Sequence, residues 1–137
     1  MRVAFGSDDT NECVEAVRGY LASEHQLMSV TTSGSWPGMS QDVAKAVASG
    51  ACEYGVLMCW TGTGTAIAAN KVRGVRAATV SDAWTARGAR LWNDANVIAL
   101  SLKRLAPDVA VECVSAFLGQ DEPDPDELSN IAAIRDL

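Results

Sequence analysis

Strand-like and helix-like segments alternate five times along the 137 residues, joined by short connections. That alternation constrains the fold more than any other feature, because it leaves few arrangements in which every apolar face is covered. Short apolar runs at 3–5, 27–31, 54–58, 75–80 and 97–100 read as strands. Between them, a helix capped by Thr10 or Asn11 runs to about residue 22, with Val14, Val17 and Leu21 on one face. Residues 33–38 read as a loop, and 42–49 carry Val43, Ala46 and Val47 at helical spacing before Gly50. Further helices are expected from 66 to 70, from 82 to 92 with Asp82 as cap, and from Pro107 to about 118. The pattern predicts an α/β fold: a five-stranded parallel sheet covered by helices on both faces. One domain spans 1–120. Residues 121–126 are acidic with two prolines and read as a linker, and 127–136 as a last helix that leaves the domain body and packs on a partner subunit.

Sites in parallel sheets lie at the carboxyl ends of the strands. Three informative stretches fall there: Ser7-Asp8-Asp9, Ser35-Trp36-Pro37, and Cys59 to Thr65. The last has a strand before it and a helix after it. Glycines at 62 and 64 let the backbone approach a ligand, and the free N–H groups of a helix start favour an anion. Asp8 and Asp9 read equally as a paired acid–base site and as a solvated helix N-terminus favoured by the dipole. Lys71 is too far from Gly62 and Gly64 for a phosphate-binding GxxxxGK[ST] loop, and Gly62-Thr63-Gly64 lacks the third glycine of a dinucleotide fingerprint. The single histidine, His25, falls at the opposite end of the sheet, so no histidine of this chain serves its own pocket.

Composition narrows the ligand. A formal charge of -6 argues against nonspecific binding to nucleic acid or to acidic membranes, while leaving a small anion possible in a local pocket. No apolar run has the length of a membrane span. The chain opens directly as a strand, so no signal peptide is expected. The four cysteines form no CxxC pair or zinc spacing and read as reduced thiols in the cytoplasm.

Several blocks together carry a resemblance: Gly6-Ser7-Asp8, Trp36-Pro37, Cys59-x-Thr61-Gly62-x-Gly64, Ile67 through Val72 with Gly74 to Ala77, and Asn93-Asp94-Ala95-Asn96-Val97. They are similar to the ribose-5-phosphate isomerase type B and galactose-6-phosphate isomerase family, from residue 1 to about 118. The resemblance implies a flavodoxin-like three-layer sandwich, and dimers or dimers of dimers whose pockets draw on two subunits. It also implies aldose–ketose isomerisation through an enediolate. Cys59 matches the family's base, a role that a helix N-terminus suits because it favours a thiolate. Asp8 and Thr61 match polar positions that touch the sugar. The backbone of Gly62, Thr63, Gly64 and Thr65 matches the anion cradle, and Asn93 an asparagine reached from the neighbouring subunit. No metal or organic cofactor is implied.

The departures point to the substrate. Asp9 and Trp92 stand where the family has histidines, Trp60 where it has glycine, and Trp36 where it has tyrosine. Asp126, Glu127 and Asn130 stand in place of cations that hold the substrate phosphate. Carboxylates there repel a phosphate. Tryptophans at 36, 60 and 92 narrow the pocket and offer faces to the apolar side of a pyranose ring. The expected substrate is an unphosphorylated or modified sugar. The alternatives are a half-site subunit completed by a paralogue, and a sugar-binding protein without turnover. Should a phosphate be bound after all, Arg90, Lys103, Arg104 and Arg135 are the cations to examine.

Overall fold

The computed structural model describes all residues except 31–33 and 136. The elements are β1 (Arg2–Ser7), α1 (Glu12–Glu24), β2 (Gln26–Ser29), α2 (Trp36–Ala48), β3 (Tyr54–Cys59), α3 (Thr63–Asn70), β4 (Ala77–Thr79), α4 (Ala83–Asn93), β5 (Val97–Ser101), α5 (Pro107–Leu118), a 3₁₀ turn at Pro125–Glu127 and α6 (Leu128–Arg135). All strand pairings are parallel, in the order β2-β1-β3-β5-β4. The chain winds outward from β1 to β2, then returns to place β3 on the other side of β1. That reversal opens a crevice between the carboxyl ends of β1 and β3. In the common doubly wound order the fourth strand would lie beside the third. Here β5 takes that place and three-residue β4 becomes the edge.

Alternation along the strands sorts the core into two layers. Val3, Phe5, Val56, Met58, Ile98 and Leu100 face α1, α4 and α5, around a fully buried Phe117. Ala4, Leu57, Val97 and Ala99 face α2 and α3, against Met39, Val43 and Ala66. Among the described residues no helix is long and apolar enough to cross a membrane.

Helix starts depart from the sequence reading. α2 begins at Trp36, inside the predicted loop, because the Ser35 hydroxyl accepts from the Gly38 N–H at 3.2 Å and Pro37 fits the first turn, where no N–H is needed. α3 begins at Thr63 rather than 66, directly after Gly62 in the left-handed region at φ +79°. The predicted second strand reaches 31, and the predicted loop begins at 33; both positions lie outside the described residues. The final helix does not leave the domain body. Ile131 is fully buried, the Asp124 N–H donates to Leu91 O at 2.7 Å, and Arg135 reaches Asp94 at 3.6 Å, so α6 is held against α4 of its own chain.

Candidate active site

Cys59 ends β3 and is only 6% exposed, yet it borders a hollow of about 390 Å³ with Asp8, Trp36, Trp60, Thr61, Thr63 and Gly64. The N–H of Gly62 turns back and donates to the Cys59 sulfur at 3.1 Å. This needs the positive φ of Gly62 and its missing side chain, since a Cβ there would lie 3.0 Å from the Leu100 carbonyl carbon. Thr79 Oγ1 donates to Gly62 O at 3.1 Å, which ties the loop to β4. Among the described residues the N–H groups of Gly64 and Thr65 meet no protein acceptor, so they are the donors left at the α3 start.

The threonines of this loop divide their work. The hydroxyls of Thr61 and Thr63 lie 2.8 Å apart on the hollow's wall. Thr65 is fully buried, and its hydroxyl meets that of Ser40, itself fully buried. Ser40 donates to Trp36 O at 2.6 Å, so Thr65 donates to Ser40. This buried pair fastens α2 to α3 and leaves only the Thr65 backbone for a ligand. Nothing in the sequence marked Ser40, because a serine mid-helix has no motif around it.

Trp36 lies over Gly64, where a Cβ would come within 3.1 Å of the six-membered ring. A second hollow, of about 410 Å³, is also lined by Trp36 and shares Asp8 with the first. Burial, above all, pushes the Asp8 carboxyl above the usual carboxylate range, and the charge of Asp9 adds to it. Asp9 moves the other way. The Thr10 N–H is the main cause, the Trp60 indole N–H the next, and Lys103 contributes further. The Asp9 carboxylate therefore holds its neighbours at the hollow's rim and does not line it.

Trp92 and Asn93 are not brought to Cys59 within one chain. They end α4, where Trp92 meets Trp84 edge-on at 5.2 Å and Asn93 borders a groove with Ala78 and Arg76. His25 caps α1 at the other end of the sheet and packs on Tyr20. Of the four cations named above, only Lys103 is placed by contacts at the hollow's rim, 4.6 Å from the Trp60 ring centroid. Arg90 is buried under Tyr54 and Phe117 and donates to Asp94 and Ala95, while Arg135 pairs with Asp94. Among the described residues no three His, Cys, Asp or Glu side chains gather as a metal would require.

Comparison with known proteins gives the family. Residues 3–134 match the family model described as Ribose/Galactose Isomerase. A D-erythrulose-4-phosphate isomerase of Pectobacterium atrosepticum is 41% identical over 83 residues, which is 61% of this chain but only 55% of that protein. D-erythrulose-4-phosphate isomerase 2 of Mycolicibacterium smegmatis is 32% identical over 100% of this chain and 95% of its own length. The ribose-5-phosphate isomerase B structure from Clostridium thermocellum superposes with a TM-score of 0.90 at 31% identity, covering 98% of this chain and 95% of that one. With this match over nearly its whole length, and a strand-end cysteine before a Gly-Thr loop, the chain belongs to the ribose/galactose isomerase family.

Proposed function

We propose that the chain interconverts an aldose and a ketose at the Cys59 hollow through an enediolate. The observation that carries this is the convergence of the Cys59 thiol, the Asp8 carboxyl and the N–H groups at the α3 start around one hollow. Cys59, as thiolate, removes the proton from C2 of the aldose. The electron pair forms the C1–C2 double bond, and charge builds on the carbonyl oxygen, where the Gly64 and Thr65 N–H groups donate to it. The proton returns at C1, and the proton of the C2 hydroxyl passes to O1, giving the ketose. Asp8, whose carboxyl burial pushes above the usual carboxylate range, suits that oxygen-to-oxygen transfer. Thr61 orients the substrate by hydrogen bonding.

The test is solvent deuterium entering C1 or C2 of candidate sugars. Cys59→Ser should slow that exchange by about a hundredfold or more with the fold intact. Near-normal exchange in this variant would move the base to Asp8. No exchange by the wild-type chain alone would favour a half-site subunit or a binding protein.

For the substrate's far end, the sequence departures at 126, 127 and 130 are what support a neutral sugar. Asp126 is exposed and Glu127 half-buried, and Asn130 donates to Glu127 at 3.0 Å, so the stretch that stands in place of the family's phosphate grip carries acceptors and no cation. A second reading, a phosphorylated sugar, draws on Lys103 at the rim and on the relatives' names, which are those of sugar-phosphate isomerases. Values of kcat/KM for erythrulose 4-phosphate, ribose 5-phosphate, galactose 6-phosphate and free aldoses separate the two. An advantage of about tenfold for a phosphorylated sugar decides for the second.

Two further parts of this reading concern setting. A second copy of the chain would complete the site with Trp92 and Asn93, in a homodimer or dimer of dimers. Support comes from an apolar strip along edge strand β4, where exposed Trp84, Ile134 and Leu137 flank grooves that share Ala78 and Asn93. The four cysteines are free and buried, which suits a reducing cytoplasm.

A further inference from the structure

Trp60 is 57% exposed, yet it is held from three directions. Its indole N–H donates to Asp9 Oδ2 at 3.2 Å, its carbonyl accepts from Ser101 Oγ at 2.5 Å, and Lys103 Nζ sits 4.6 Å from the ring centroid. Asp9 is fixed in turn, for its Oδ1 accepts the Thr10 N–H at 2.8 Å and its carbonyl accepts from Ser7 Oγ at 2.7 Å. A large aromatic ring left open to water normally keeps its rotamer freedom, and here that freedom is removed. The hollow is lined by Trp60 and not by Lys103. The ammonium sits over the ring and the carboxylate satisfies its N–H edge, while the same ring lines the hollow. Trp36 forms another wall of the same hollow, and Thr61, Thr63 and Asp8 supply hydroxyls and a carboxylate around it.

Flat apolar walls with polar groups at the rim match a sugar ring, which has a face of C–H bonds and an edge of hydroxyls. An open-chain polyol presents no persistent apolar face. We propose that Trp60 is a specificity-determining residue that receives the cyclic form of the sugar before ring opening. Asp9 and Lys103 are positioning residues that hold the indole for it. The proposal rests on the reading of the Cys59 hollow as a sugar site, but not on turnover there.

The experiment is calorimetric titration of the full chain, with tryptophan fluorescence alongside. The probes are methyl xylopyranoside and methyl galactopyranoside, rings that cannot open, against xylitol and galactitol. The rings should bind the wild-type chain more tightly than the polyols. Trp60→Gly should weaken ring binding about tenfold and polyol binding little. Trp60→Phe, which keeps a face without the N–H, should retain most ring affinity, so a poorly folded glycine variant does not leave the question open. Asp9→Ala and Lys103→Met should each weaken ring binding in the wild-type background and add nothing beside Trp60→Gly. The proposal is overturned if the rings do not bind, if rings and polyols bind alike, if Trp60→Gly spares ring affinity, or if Asp9→Ala costs as much without the indole as with it. Any of these would leave the isomerase reading to deuterium exchange, which is measured separately.

Discussion

The Gly62 N–H donates to the Cys59 sulfur across the turn that joins β3 to α3, at 3.1 Å. This one bond places a backbone donor on the proposed base and spends the Gly62 N–H, leaving those of Gly64 and Thr65 for a ligand. Gly62→Ala would put a Cβ 3.0 Å from the Leu100 carbonyl carbon at φ +79°. It should destabilise the fold by about 1 to 3 kcal/mol, measured by urea unfolding. It should also slow deuterium exchange by more than unfolding explains, because the loop must shift away from the sulfur.

Ser40 and Thr65 should behave as a unit. Ser40→Ala leaves the buried Thr65 hydroxyl without its acceptor and should cost about 1 to 3 kcal/mol. Thr65→Val should cost less, because Ser40 keeps its bond to Trp36 O. The double variant should be less destabilised than the sum of the two, and strict additivity in chemical denaturation would show that the hydroxyls are not coupled.

Two carboxyls should shape the acid limb of stability in opposite senses. Arg2, through its side chain and then its N–H, holds the Glu53 carboxyl down to about 2. The unfolded chain therefore binds the proton first, so the stabilisation is present above about pH 4.5 and is lost as pH falls toward 2. Glu53→Gln should flatten that loss. Asp8, raised by burial, holds its proton longer in the folded chain, so its contribution declines as pH rises through the window just above 3.8. Asp8→Asn should thus gain in relative stability from acid to neutral pH, as read from thermal midpoints across pH 2 to 7.

Trp84 is 72% exposed and meets Trp92 edge-on beside the β4 edge. If the strip is where a second copy sits, light scattering should give at least a dimer, and Trp84→Glu should shift the mass toward a monomer with unchanged circular dichroism. Loss of exchange activity in that monomer is the expected companion, since Trp92 and Asn93 would no longer reach a neighbour's hollow. A fully active wild-type monomer would refute the shared site.

Local pattern was enough for the layers. Short apolar runs marked all five strands and helical apolar spacing the segments between them, and the parallel sheet follows because short helical connections permit little else. The same pattern placed Asp8, Trp36 and Cys59 at strand ends, and so around one hollow. What it could not supply was pairing between distant residues. That β5 lies between β3 and β4 depends on contacts such as Cys59 with Ser101, which no local window contains. That Asp9 holds Trp60, that Thr65 turns inward to Ser40, and that α6 stays on α4 were decided by tertiary packing. A side chain's partner depends on which elements fold against it, and buried polar groups accept only arrangements that satisfy every donor.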